Sequence, residues 1–142
     1  MSMDVARALT FAADHRRGVL VTLKADGRPQ LSNIFYVPGE HGTVRISVTD
    51  DRAKTRNLRR DPRASLHVTR DDFFAYVVLE GSVELSPVTT DPGDATADEL
   101  VALYRDGQGE HPDWDEYRRA MVADHRLVAT LRVTAAYGML PD

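Results

Sequence analysis

The sequence predicts one mainly β domain, a small antiparallel barrel with added helices. Short apolar runs separated by turn signals fill residues 18–88, and another follows at 127–134. Short connections make neighbouring strands antiparallel, and six or seven such strands with few helices close most simply into a small barrel. A helix pair is inserted at 91–126. Because the chain has the length of one domain, we expect residues 1–142 to fold as a unit.

The first half of the chain carries clear local signals. Residues 4–14 place apolar side chains at helical spacing, and Asp4 is a suitable cap. The pair Asp26-Gly27 lies between two alternating runs and is the strongest short-range signal for a hairpin. Alternation over 43–49 predicts a third strand, whose core face carries Val44, Ile46 and Val48.

The following elements are punctuated by Asp, Pro and Gly. We expect Asp50-Asp51 to cap a short helix over 52–60 that Pro62 ends. Gly81 is expected to mark a turn between two further strands. The predicted strands of this region are 64–69, 74–81 and 82–88, and the inserted helices are 91–106 and 113–126. The sequence ends in AAYGMLPD after the last predicted strand, 127–134.

Composition limits the classes of function. The chain has no cysteine, which removes disulfides, thiolate metal sites and thiol nucleophiles. Its net charge of −4 is spread among mixed acidic and basic residues, so we expect no nucleic-acid partner. No apolar run approaches the ~20 residues that span a bilayer. We therefore expect a cytoplasmic protein without a membrane partner.

The predicted helix over 52–60 holds the strongest chemical signal. Five of the eighteen Lys and Arg residues fall there, in a chain that is acidic overall. At about 100° per residue the four arginines share one side, whereas Lys54 lies with Leu58 on the side that docks against the barrel. A lysine on a docking face needs an anionic partner, and a helix start favours anions. The pattern therefore predicts an anion site at Lys54, with Arg52 or Arg56; a solvated basic face is the alternative.

Polar residues interrupt the predicted barrel wall next to this helix. Ser47 and Thr49 run directly into it, so a ligand with its phosphate at Lys54 would extend along their strand. Hydroxyls and amides there could meet the polar edge of a ring system, although half of any strand faces solvent. The first hairpin contributes a second polar group, Gln30, Ser32 and Asn33.

No other chemistry is indicated by spacing. The five histidines show no metal-ligand spacing, so we expect no metal site, and no P-loop or nucleophile-elbow motif occurs. Trp114 and Tyr117 are interpreted as helix-packing or dimer-contact residues. We assign no catalytic acid, base or nucleophile.

Several segments together resemble the flavin/deazaflavin oxidoreductase family of actinobacteria, in particular the mycobacterial coenzyme F420-binding proteins that are similar to pyridoxamine phosphate oxidase. The resemblance covers nearly the whole chain. Its most specific block is KTRNLRRDPRAS, and the other segments are VLVTLKADGRPQLSNIFY, YVVLEGSVELSP, ALYRDGQGEHPDWDEYRRAMV and AAYGM. It implies a six-stranded antiparallel split β-barrel, the FMN-binding type, and a homodimer with two cofactor sites at the interface.

The resemblance also implies roles for single residues. Lys54 and Arg52 correspond to ligands of the cofactor phosphate, with Asn57 nearby. Phe74 and Tyr76 correspond to a wall of the site that is supplied across the dimer. The strand lining the deazaflavin ring corresponds to Gln30, Ser32, Asn33 and Ile34, with Ser47 at the polar edge of the ring.

The activity implied by the resemblance is hydride transfer between the deazaflavin C5 of F420 and an unsaturated small-molecule substrate. Two alternatives remain. An FMN-dependent oxidase of the pyridoxamine phosphate type would need a second basic cluster, whereas the arginines beyond residue 63 are scattered in sequence. A non-enzymatic cofactor carrier or haem-binding protein would need an axial histidine, with His67 and His125 as candidates.

Overall fold

The computed structural model describes residues 2–141; residues 1 and 142, the ends of the predicted domain, lie outside them. Strands and helices follow one another along the chain in nearly the order that the sequence predicts. In chain order the elements are α1 (Val5–Ala13), β1 (Arg17–Leu23), β2 (Pro29–Phe35), β3 (Val37–Pro38), β4 (Thr43–Thr49), α2 (Ala53–Arg60), β5 (Arg63–Thr69), β6 (Tyr76–Leu85), α3 (Ala95–Gln108), α4 (Trp114–Ala123) and β7 (Arg126–Met139).

All of these strands belong to one antiparallel sheet with the order β2-β1-β5-β6-β7-β4-β3. The mainly β, antiparallel prediction is therefore confirmed, but two details are wrong. The sheet has seven strands instead of six, because the short β3 pairs with β4 through Val37 and Arg45. It is also a curled half-barrel, since β2 and β3 end the order without pairing with each other.

β6 differs from its prediction because of Gly81. The predicted turn at Gly81 is a bulge within one continuous strand, where the register to β7 shifts between Glu80 and Gly81. A Cβ at Gly81 would lie 1.8 Å from the backbone oxygen of Arg132, so the glycine allows close approach of β7 and does not end the strand. The strands predicted at 74–81 and 82–88 are therefore one.

Two apolar clusters position the functional region. The larger one fills the concave side of the sheet and includes Val44, Ile46 and Val48, as the alternation predicts, together with Leu58 of α2. The smaller one joins α3 and α4 to the sheet through Leu100, Tyr117 and Val128. The inserted helices thus stand over the β3–β4–β7 side of the sheet. Within residues 2–141, no helix is long and apolar enough to cross a membrane.

Candidate functional site

A cleft of about 720 Å³ is lined by residues of β2, β3 and β4 and of the inserted helices α3 and α4. Its volume is within the range of ligand and cofactor pockets. One part of its lining is polar and cationic, with Asn33, Ser47, Lys54 and Arg126. Another part is apolar and aromatic, with Val37, Leu103, Tyr104, Tyr117 and Met121. No acidic side chain and no histidine belongs to the lining that the described residues form.

Lys54 is at the polar end, in the first turn of α2. The expected capping by Asp50-Asp51 is wrong: the N-cap is Arg52, and its side chain makes no capping hydrogen bond. Asp50 instead pairs with Arg59, because the chain turns before the helix begins. The first backbone N–H groups of α2 therefore lack a side-chain cap, and an anion is the partner that a helix start favours.

The surroundings of Lys54 are positive. Burial lowers the pKa of Lys54 from its ordinary 10.5, and the nearby charges of Arg52 and Arg126 lower it further. Neither Lys54 nor Arg52 makes a side-chain hydrogen bond or ion pair within residues 2–141. A half-buried ammonium beside two guanidinium groups is unfavourable unless an anion joins them.

The other basic residues of α2 are engaged within the chain. Arg56 donates to the backbone oxygen of Asp51, and Arg59 pairs with Asp50. Arg60 donates to the backbone oxygen of Leu23 and to the side chain of Asn57. The sequence predicted all four arginines on one outward face. Three of them instead form hydrogen bonds or ion pairs with residues outside α2.

Two buried polar atoms without hydrogen-bond partners lie where β4 and β7 begin to pair. Thr49 and Arg126 are opposite one another in register. Thr49 Oγ1 and Arg126 Nε are both buried and unpartnered in the described part of the chain. Of the two residues Arg126 belongs to the cleft lining and Thr49 does not. Because buried polar atoms are nearly always satisfied, a ligand in the cleft can supply hydrogen bonds to Arg126.

The predicted residues fall into three places. Asn33, Ile34, Ser47 and Lys54 line the cleft together. Arg52 is exposed at the start of α2. Gln30, Ser32 and Asn57 lie outside the lining: Gln30 is opposite Thr22 on β1, and the Asn57 amide donates to the Thr22 hydroxyl at 3.1 Å.

Phe74 and Tyr76 also lie outside the cleft of their own chain. Phe74 is 78% exposed in the β5–β6 turn, next to Phe73, which has a positive φ of 68°. Tyr76 begins β6 and packs on His67, with the ring centroids 5.5 Å apart. Their role in a wall supplied across a dimer stays a prediction.

Sequence reasoning missed the residues that the inserted helices and β7 bring to the cleft. Tyr117 was interpreted as a helix-packing or dimer-contact residue, and it does pack on Tyr104, with ring centroids 5.1 Å apart. They also form a cleft wall. Arg126 belonged to the scattered arginines, and no local pattern marks it, because the pairing of β4 with β7 alone brings it beside Ser47.

Comparison with known proteins places this fold and cleft in a family. The family model described as pyridoxamine 5'-phosphate oxidase matches residues 5–132. The chain belongs to the pyridoxamine 5'-phosphate oxidase family. This family includes oxidoreductases, and its fold binds flavin-type cofactors.

Solved structures agree with the family assignment. A conserved hypothetical protein of Mycobacterium tuberculosis is 22% identical, with a TM-score of 0.74 over 99% of this chain and 90% of that chain. An F420 reductase is 27% identical, with a TM-score of 0.61 over 86% and 89%. A heme binding protein of Mycobacterium smegmatis is 27% identical, with a TM-score of 0.68 over 96% of this chain but 54% of that one.

Proposed function

We propose that the protein is an F420-dependent oxidoreductase that transfers a hydride between the deazaflavin C5 and an unsaturated organic substrate. Family membership supports a flavin-type cofactor, and the similarity to an F420 reductase supports the deazaflavin. When bound, the deazaflavin supplies the hydride chemistry, which no side chain of the protein can supply.

One observation carries the proposal: the unpartnered cations at the start of α2. Among residues 2–141, Lys54 and Arg52 have no hydrogen-bond or ion-pair partner, whereas Arg56, Arg59 and Arg60 each have one. The residues present therefore fit a phosphate-bearing cofactor. In our proposal Lys54 and Arg52 hold the phosphate by charge-assisted hydrogen bonds.

The other lining residues would position the ring and exclude water. Asn33, Ile34 and Ser47 would line the deazaflavin, with Gln30 and Ser32 farther along the same strand. The aromatic wall from α3 and α4 would cover the substrate side. Binding two reactants in one water-poor cleft accounts for most of what such a protein contributes to hydride transfer.

An FMN-dependent oxidase is the second candidate, and one finding strengthens it. The argument against it was that the later arginines are scattered, but the fold brings Arg126 into the cleft near Lys54. A non-enzymatic haem protein gains less support, despite the similarity to a heme binding protein. His67 is on the outer side of β5, and His125 is exposed in the turn before β7.

We also propose that the protein acts as a homodimer. The outer face of the sheet exposes large apolar side chains, among them Leu31 of β2 and Met139 of β7, which are 60% and 63% exposed. A second copy would cover this face and bring Phe74 and Tyr76 to the cleft of its neighbour. Large exposed apolar patches are typical of interaction sites.

The proposal is tested by comparing two variants in their affinity for F420. Lys54→Ala removes one charge-assisted hydrogen bond worth about 1.5–3 kcal/mol, so we expect a roughly 10- to 150-fold loss of affinity. Arg59→Ala also removes one positive charge from α2, but from an arginine that pairs with Asp50. We expect it to weaken the free energy of F420 binding by less than about 1 kcal/mol, with an effect that fades as salt increases. Equal losses for both variants would show that α2 acts only as a diffuse positive field.

A further inference from the structure

Arg126 lies close to residues of both the polar part and the aromatic part of the cleft. It is the first residue of β7 and lines the cleft together with Lys54 and Tyr117. It is close enough to shift the pKa values of both: it lowers that of Lys54 and opposes the rise that burial gives to Tyr117. The Arg126 guanidinium is therefore close to both the proposed phosphate site and the aromatic wall.

The guanidinium of Arg126 has only weak partners among the residues that the structure describes. Its Nη1 is 3.5 Å from both the hydroxyl and the backbone oxygen of Ser47, at the limit of a hydrogen bond. Its Nε is 3.8 Å from Asp124 Oδ2 and makes no hydrogen bond. The Arg126 side chain is 32% exposed, so most of it has lost water without gaining a partner of good geometry.

The environment favours a particular anion. The cleft also has an apolar wall, with Tyr117, Met121 and Leu103 from the inserted helices, and Tyr117 is near enough for the charge of Arg126 to act on its pKa. A single guanidinium offers a planar fork that matches a carboxylate, whereas a second phosphate dianion would call for additional cations. In the proposed function the cofactor phosphate binds at Lys54 and the start of α2. The apolar wall suits the carbon skeleton attached to the carboxylate.

We infer that the organic substrate of this cleft carries a carboxylate that Arg126 binds, attached to a flat apolar skeleton that packs against Tyr104 and Tyr117. The inference rests on the proposed function for the reaction, but the binding step can be measured without any cofactor. Arg126 would thus select substrates by charge, whereas Lys54 holds the cofactor.

The test uses a matched pair of probes, trans-cinnamate and its neutral amide. Calorimetric titration of the ligand-free protein is expected to show roughly tenfold tighter binding of the carboxylate than of the amide. Arg126→Gln is expected to abolish that preference and to leave the affinity for the amide unchanged. Arg119→Gln, on the exposed side of α4, removes the same charge and is expected to keep the full preference.

Two further measurements separate the possible sources of the anion. Arg126→Gln is expected to weaken F420 binding clearly less than Lys54→Ala does, because Arg126 acts on the phosphate only through its nearby charge. A loss as large as that of Lys54→Ala would assign Arg126 to the cofactor phosphate and overturn the inference. Equal binding of cinnamate and its amide by the wild type would overturn it as well.

The proposed function and the inference about Arg126 are contradicted by different results. A wild type that binds neither F420 nor FMN would remove the oxidoreductase proposal, while the preference for cinnamate would still report on Arg126. Arg126→Lys serves as a second variant should the glutamine disturb folding. It keeps the charge but not the fork, so we expect a smaller, nonzero preference. A preference that is unchanged in this variant would contradict carboxylate binding by the guanidinium fork.

Discussion

At the scale of single residues, Lys54 differs from the other cations of α2 in what surrounds it. Its ammonium group is half-buried beside Arg52 and Arg126, and no carboxylate faces it within residues 2–141. The periodicity of α2 was enough to separate Lys54 from the arginines. It could not show that Arg56, Arg59 and Arg60 bond to neighbouring segments, because those partners are set by the turn before α2 and by β1.

The lowered pKa of Lys54 predicts how cofactor binding depends on pH. The charged ammonium binds the phosphate, so affinity for F420 should fall as pH rises through the lowered pKa of the free protein, well before 10.5. In the ligand-free protein the sign is opposite: Lys54 loses its proton first in the folded state, so the free energy of unfolding rises over the same interval.

Titrations with F420 between about pH 7 and pH 10 measure this dependence. Lys54→Arg is the control, because a guanidinium stays charged throughout that range. The fall should be present in the wild type and absent, or much smaller, in Lys54→Arg. Parallel falls in both proteins would mean that another group governs the pH dependence.

At the scale of elements, local signals predicted the structure wherever the cause was local. The helix Val5–Ala13 begins after Asp4, and the Asp26-Gly27 pair joins β1 to β2. The signals misled at Gly81, because the reason for that glycine is the backbone oxygen of Arg132, a residue far along the chain. Gly138, in the unpredicted extension of β7, likewise lies against the backbone of Tyr76.

The start of α3 offers a prediction about stability. The Asp94 carboxylate accepts hydrogen bonds from the Ala97 and Thr90 backbone N–H groups and from the buried Thr89 hydroxyl. These bonds lower its pKa to about 2. Asp94→Ala should therefore lower the melting temperature at neutral pH, whereas Glu99→Ala, exposed on the same helix, should change it little.

The pH dependence of the Asp94 effect follows from the same lowered pKa. Its stabilisation is present above the unfolded value near ~3.9 and is lost as pH falls toward about 2. Melting curves at decreasing pH should show the wild type approaching Asp94→Ala. A constant difference across that range would exclude the ionised carboxylate as the cause.

At the scale of the whole molecule, the sequence indicated the class of fold but not its closure. Short turns imply antiparallel neighbours, yet the order of seven strands depends on pairings between distant segments such as β4 with β7. The same pairing brings Arg126 beside Ser47. From the sequence, two parts of the cleft could be predicted. One is the part near Lys54, because α2 follows β4 directly in the chain, and the other is the part that the first hairpin supplies with Asn33 and Ile34.

The exposed outer face predicts the state of assembly. Light scattering at micromolar concentration should give twice the chain mass of 15.8 kDa. Leu31→Glu and Met139→Glu place charges on the outer face and should shift the protein toward the monomer, whereas Glu99→Lys on α3 should not. A monomeric wild type that still binds its cofactor would contradict a site completed by a second copy.

The most direct test of the central claim is a titration of the wild type with F420 and, separately, with FMN. The proposed phosphate site at Lys54, together with the similarity to an F420 reductase, leads us to expect binding of F420 with a dissociation constant of about 1 μM or lower, and weaker binding of FMN. Both are measured by calorimetry on the same preparation. FMN binding that is roughly tenfold tighter than F420 binding would contradict the deazaflavin assignment and favour the FMN-dependent oxidase.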